Sequence, residues 1–283
     1  MIREFLRSRI AAGGLALLAL VVLVALFAPW ISPQNPYDLA KLDLLDARLP
    51  PGTAGAAHFT YLLGTDGQGR DMLSAIFYGL RVSLTVGVAS GLIALALGGL
   101  LGVTAAYAGG RAEQLLMRVV DIQLGFPAIL VALILIAVLG KGVDKIIIAL
   151  VCVQWAYYAR TARSAAIVER NKEYIDAARS LGFSHTRIVL RHLLPNAMPP
   201  LIVVGTVQVA HAIALEATLS FLGLGLPATE PSLGLLIANG YEYLLSGRYW
   251  ISVYPGLALL ATILSINLVG DQLRDQLNPR LAR

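Results

Sequence analysis

Three polar side chains, Gln208, His211 and Glu216, interrupt an apolar run near residues 199–222. Ionisable groups at such a place are costly in lipid and face a cavity or a partner. The chemistry open to them is hydrogen bonding, either to a solute in a path or to a neighbouring helix. A second polar group, Asp66, Arg70 and Asp71, follows glycines in LGTDGQGRD. It can orient a turn by local hydrogen bonds or meet another protein. A third stretch, EYIDAARSLGFSHTRIVLRHLLPN at Glu173–Asn196, is polar, basic and helix-forming, with Gly182 in its middle.

Covalent chemistry is not indicated. No serine–histidine, paired-aspartate or His-Glu-x-x-His arrangement lies within the apolar runs, and no Gly-rich phosphate loop occurs anywhere. If the protein uses ATP, another chain binds it. His185, His192 and His211 have no second donor at metal-ligand spacing, so no metal site is expected. Cys152, the one cysteine, reads as a small packing residue and leaves no disulfide framework.

Composition says what holds these groups. Apolar residues make up 57% and charged residues 14% of the 283-residue chain, and the mean hydropathy is +0.73. Soluble domains average about 25% charged, so lipid must cover part of the apolar surface. About 20 apolar residues cross the hydrocarbon as a helix. Six stretches qualify: Ile10–Trp30, Val82–Tyr107, about Leu115–Leu139, about Val143–Ala159, about Pro199–Leu222 and Ile251–Val269. The first run is too long for a signal peptide and lacks a small-residue cleavage site. Gly87/Gly91 and Gly98/Gly102 have the spacing that lets helix backbones approach in lipid. Pro127 is expected to kink the third span. Arg118 and Asp121 near its start can pair locally. The fourth continues as a helix into the basic loop. Asp71–Leu80, with Met72, Leu73, Ile76, Phe77 and Leu80 on one face, predicts a short helix lying on the outer membrane surface.

With the N-terminus inside, fifteen of the 22 basic residues fall on the inner side. Basic residues favour the cytoplasmic side, which puts both termini and the loop 160–198 there. The net charge of +5 is thereby explained by topology and not by nucleic acid.

Within the basic loop, Ala177 and Ala178 are strong helix formers without bulk, which lets a partner surface approach closely. Gly182 suits a left-handed helix end. Ser184 caps the next helix, whose Ile188, Val189, Leu193 and Leu194 turn to the apolar side. Pro195 closes the segment.

The loop resembles the cytoplasmic coupling loop of ABC-importer permeases. That pattern has an acidic residue, two alanines, a glycine four positions on and a later Leu-Pro, here Asp176, Ala177, Ala178, Gly182, Leu194 and Pro195. Asp176 stands for the usual Glu, and His192 for a common Ile. Leu63–Asp71, Leu219-Ser-Phe-Leu-Gly-Leu-Gly225, Pro255-Gly256, Asn267-Leu-Val-Gly-Asp271, Leu273-Arg-Asp275 and Asn278-Pro-Arg280 resemble the peptide and nickel importer branch, most of all its second (C-type) permease. Leu233 departs from a frequent Trp.

The resemblance implies an all-α integral membrane protein of the type I ABC-importer fold, with six transmembrane helices and cytoplasmic termini. A first helix and outer loop with an interfacial helix (1–81) would precede a five-helix core (82–272) and a tail (273–283). It implies a non-catalytic subunit of the cell inner membrane that forms half of a path for di- or oligopeptides. A nickel-chelate importer is the alternative; a stand-alone transporter would leave the basic loop without a role. The implied partners are a homologous permease, two ATP-binding cassette ATPases that bind ATP and Mg, and an extracytoplasmic binding protein. Glu173, Tyr174, Asp176, Ala177, Ala178, Ser180, Leu181, Gly182 and Arg187 would meet the ATPase. Gln208, His211 and Glu216 would line the path, and Asp66, Arg70 and Asp71 would face the binding protein.

Overall fold

The computed structural model describes residues 8–38, 42–55, 60–227, 229–230 and 232–277. The segment 278–283, used in the sequence reading, lies outside them, as do Arg3, Arg7 and Lys41 among the basic residues counted there. The described chain is helical apart from a two-stranded hairpin, β1 (Thr53–Ala54) and β2 (Thr60–Tyr61). The helices are α1 (Arg9–Ile31), α2 (Met72–Ala108), α3 (Gly110–Gly125), α4 (Ala128–Leu139), α5 (Val143–Arg170), α6 (Glu173–Ser180), α7 (His185–Ile188), α8 (Leu194–Phe221), α9 (Leu233–Tyr241) and α10 (Trp250–Leu277). A π-helical turn, Val189–Leu193, joins α7 to α8.

Four stretches are long and apolar enough to cross a membrane: α1, α2, His185–Phe221 and α10. The α3–α4 pair would be a fifth, but its halves meet at 90°. A kink at Pro127 was expected; the bend is larger, because the chain is extended at Phe126 and Pro127 and restarts as a new helix at Ala128. α5 is long enough to cross, but Gln154, Arg160 and Arg163 dilute its apolar character.

The separate surface helix at Asp71–Leu80 is not found. Asp71 caps a single helix that runs to Ala108, accepting a hydrogen bond from the Ser74 amide at 2.9 Å. Nothing between Leu80 and Val82 breaks it, and helix propagation is favourable once begun. At about 1.5 Å per residue α2 is roughly 55 Å long, well beyond the hydrocarbon thickness of about 30 Å. Its first turns are therefore not laid on lipid. Met72 packs with Trp250 and Ile251. Ala75, Ile76 and Leu80 pack with Val21 and Ala25 of α1 and Leu233 and Leu236 of α9.

α2 is the central post, and its glycines set its neighbours. A β-carbon at Gly98 would collide with the Trp155 carbonyl, and one at Gly102 with the Ala159 carbonyl. One at Gly87 would lie 2.6 Å from Ile213 Cγ1, and one at Gly91 2.9 Å from Val209 Cγ2. The lower glycine pair thus seats α5 and the upper pair seats α8. Without a water-driven force between helices in lipid, such close packing holds them. Cys152 does not share in it: the residue is exposed on the outside of α5.

Gly102→Ala should push α5 away, because the new methyl also meets Ala162 Cβ at 2.8 Å. A cost of about 1–3 kcal/mol is expected for such overpacking, read as a lower thermal unfolding midpoint in detergent. Gly99→Ala is the control. Its methyl would meet only Leu201 Cδ1, at 3.8 Å, and should leave the midpoint unchanged or raise it.

Candidate coupling surface and translocation groove

α5 runs about 15 Å past Ala159 and ends where α6 begins. Arg170 at that end donates from Nη1 to the Ala106 carbonyl at 2.5 Å. A cation there suits the orphan carbonyls and negative dipole at the C-terminus of α2.

α6 is eight residues long and stops at Gly182, whose φ is +73°. The Phe183 amide donates to the Ala178 carbonyl at 3.1 Å and the Gly182 amide to the Arg179 carbonyl at 2.9 Å. That pair of bonds is the Schellman closure, which requires a left-handed residue at Gly182. Ser184 then accepts from the Arg187 amide and starts α7. The helix–glycine–helix punctuation expected from the sequence is present.

Ile175 and Ala178 on α6 are buried with Ile188, Val189 and Leu193. The same cluster contains Val103 and Ala106 of α2, Ala162 and Ala166 of α5, and Ala197 and Leu201 of α8. Aromatic and polar contacts brace it. Tyr107 Oη lies 2.7 Å from His185 Nδ1, Arg179 stands over the Tyr107 ring and Arg187 over the Phe183 ring.

Glu173, Asp176, Ala177, Ser180, Leu181, Gly182 and Arg187 are exposed. Leu181 is 73% exposed and Tyr174 37%. Ala178 is not part of this face: at 4% exposed it packs inward. The alanine pair expected to face a partner is therefore split, one outward and one inward, because adjacent helical positions point about 100° apart. Ile175 and Phe183, not singled out from the sequence, anchor the knob.

Glu169 ties α6 back to α5. Lys172 Nζ donates to its Oε1 at 2.7 Å and Tyr174 Oη to its Oε2 at 2.8 Å. Burial opposes ionisation of this carboxyl, but the two donors and the lysine charge outweigh it and hold it below the usual 4.5. Tyr174 is pushed up to about 12 by desolvation and by the bond to Glu169, so it remains a donor at neutral pH.

A cavity of about 910 Å³ opens beside this loop, between α5, α8 and α10. Glu169, Asn196, Asp271 and Arg274 surround one end; Val203, Val204 and Val207 form an apolar wall; Gln208 and His211 lie at the other end. Two of the three nominated path residues are thus brought together. Glu216, the third, is fully buried elsewhere. Its carboxyl accepts from Ser83 Oγ of α2 at 2.9 Å and Ser220 Oγ at 2.8 Å, with Ser232 at the start of α9 also bonded to it. Glu216 is a knot between α2, α8 and α9 and does not line the cavity. An acidic side chain in a helical run carries no sign of which way it points, so the sequence could not separate these roles.

The outer loop is likewise internal. Asp66, Arg70 and Asp71 are each no more than 1% exposed. Arg70 Nε donates to Asp66 Oδ2 at 2.6 Å, and the Gln68 and Arg70 amides donate to Asp66 Oδ1. Asp71 receives Ser74, and its amide donates to Gln34 Oε1 at 2.7 Å. With almost no exposed surface, these side chains shape the loop from within and are not displayed on its outside. Trp250 Nε1 locks the same loop to α10 through the Thr65 carbonyl, at 3.1 Å.

The sequence profile described as "Binding-protein-dependent transport system inner membrane component" matches residues 98–283. The chain belongs to that family. A second profile, "N-terminal TM domain of oligopeptide transport permease C", matches residues 1–51. Similar curated proteins include the di/tripeptide transport system permease protein of Pseudomonas aeruginosa (strain UCBPP-PA14), 39% identical over 99% of this chain and 91% of the relative. The dipeptide transport system permease protein of Escherichia coli (strain K12) is 39% identical over 98% and 91%. That of Bacillus subtilis (strain 168) is 36% identical over 99% and 85%. Among solved structures, an inward-facing methionine ABC transporter, MetNI, superposes with a TM-score of 0.60 at 21% identity, covering 73% of this chain and 98% of that one. This permease is therefore a multi-pass helical membrane protein.

Tyr174→Phe should weaken the tie between α6 and α5. Amide hydrogen exchange across Glu173–Ser180 should quicken by about two- to tenfold at pH 7, as loss of one charge-assisted bond implies. Because the folded Glu169 carboxyl is depressed, its stabilisation is present above the unfolded value and is lost as pH falls through the folded one. The difference between variant and parent should therefore shrink as the pH falls below the ordinary glutamate range.

Proposed function

We propose that this chain is one permease subunit of an ATP-driven importer of di- or oligopeptides. It forms half of the path and carries the surface that receives work from a cytoplasmic ATPase. The observation that carries the proposal is the α6 knob: anchored inward on three long helices, it turns Tyr174, Ala177, Leu181 and Arg187 outward. An exposed leucine at the end of a short, solvent-facing helix fits a socket in a soluble partner better than water.

In this reading the six crossings are α1, α2, α3–α4, α5, α8 and α10. Both termini and α6 lie in the cytoplasm, as the basic-residue bias favours, and the membrane is the cell inner membrane. ATP and Mg belong to two partner ATPases, and the chain itself holds no cofactor. A homologous second permease closes the groove, and an extracytoplasmic binding protein delivers substrate at the other face. Peptide is favoured over nickel chelate because the relatives cited are named for peptides. The cavity next to α6 ends before the Glu216 knot. That arrangement suits a path open to the cytoplasm and shut on the outer side. Transport then needs no reacting group: closure of the ATPases moves α6, and α2, α5 and α8 move with it.

Gly182→Val tests this. Open space surrounds Gly182, so only the left-handed backbone resists the side chain, at about 1–2 kcal/mol. Peptide imported per ATP hydrolysed should fall about tenfold while insertion and complex assembly stay intact. Normal coupling in the variant would sink the proposal.

A further inference from the structure

We propose that Gln208 is the group in the groove that contacts the substrate's main chain, donating a hydrogen bond to a peptide carbonyl. The inference rests on the peptide-importer reading and gives it a residue.

Gln208 is 4% exposed and lines the cavity, yet its Nε2 has no hydrogen-bond partner. A buried donor left unpaired is destabilising, so a native protein keeps one only where something else satisfies it. Its neighbour shows the same incompleteness. Gln154 of α5 donates from Nε2 to the Gln208 main-chain carbonyl at 3.4 Å, but its own Oε1 is buried without a partner. Gln154 steadies α8 at this level, and the Gln208 amide is left without an acceptor.

The rest of the wall explains which ligand. From Pro199 to Val207 the α8 lining is proline and valine, with no charge. Glu169, Asp271 and Arg274 sit at the other end. Asn196 to His211 spans 16 residues of continuous helix, or about 22 Å, the length of roughly six extended residues. From Pro199 to Gln208 the α8 side of the cavity offers one polar side chain, a neutral amide, which cannot distinguish one charged side chain from another. It can meet the group every peptide carries, the backbone carbonyl, without holding any one peptide tightly.

The test uses the complete importer in proteoliposomes: both permeases, the ATPases and the binding protein. The probes are labelled Ala-Ala and its thioamide analogue, whose sulfur is a poorer acceptor than the carbonyl oxygen. The readout is the ratio of their initial uptake rates at saturating binding protein. Because the binding protein is the same throughout, its own preference cancels between variants. In Gln208→Leu the preference for the amide should drop by about threefold or more, in line with one lost hydrogen bond. Gln208→Met serves as a second apolar variant if leucine disturbs folding. An unchanged ratio in an assembled Gln208→Leu complex would overturn the inference while leaving the importer reading intact. Loss of the second permease on co-purification, restored by Gln208→Asn, would make Gln208 an intersubunit contact and also overturn it. If the parent complex imports neither probe, the peptide reading itself fails, and the inference with it.

Discussion

Burial of Ile175 and Ala178 among the ends of α2, α5 and α8 is the contact on which the rest depends. Within lipid every backbone group must be satisfied inside its own helix, so the helices behave as stiff rods. Force can enter them only where another segment is keyed into their ends. An eight-residue helix cannot be stable in isolation; it exists because two of its side chains complete a cluster begun by three long helices. Exposed ion pairs such as Asp176–Arg179, at 3.4 Å, add little. The same burial that stabilises α6 makes it mechanically continuous with the membrane core.

Rigidity further up has a different origin. Gly98 and Gly102 let α5 approach α2 backbone to backbone, and Gly87 and Gly91 make room for the Ile213 and Val209 side chains of α8. Polar groups then fasten the upper end, where Glu216 gathers hydroxyls from three helical elements. Two turns below on α8, Gln208 faces the opposite circumstance: a cavity, and a donor with no acceptor. One helix thus carries a satisfied polar knot that closes and an unsatisfied amide that waits.

The outer end is held by a network and not by exposed chemistry. Asp66, Arg70 and Asp71 hydrogen-bond within the loop itself and to Gln34 and Ser74. Met72 and Trp250 seat that loop on α10. Any partner at this face meets the shape these residues create.

The amino-acid order alone determined the helical class, the apolar stretches and the turn at Gly182 with its Ser184 cap, because those depend on local properties: hydropathy over one span, and φ at one residue. Tertiary structure decided the merger of Asp71–Leu80 into α2, the 90° bend at Pro127, the inward turn of Ala178 and the separate fates of Gln208 and Glu216. In a membrane protein a lipid-facing side and a core-facing side are equally apolar, so periodicity does not say which way a helix turns. Only the neighbouring helices, brought together by glycines far apart in sequence, settle which polar group is enclosed and which is left open.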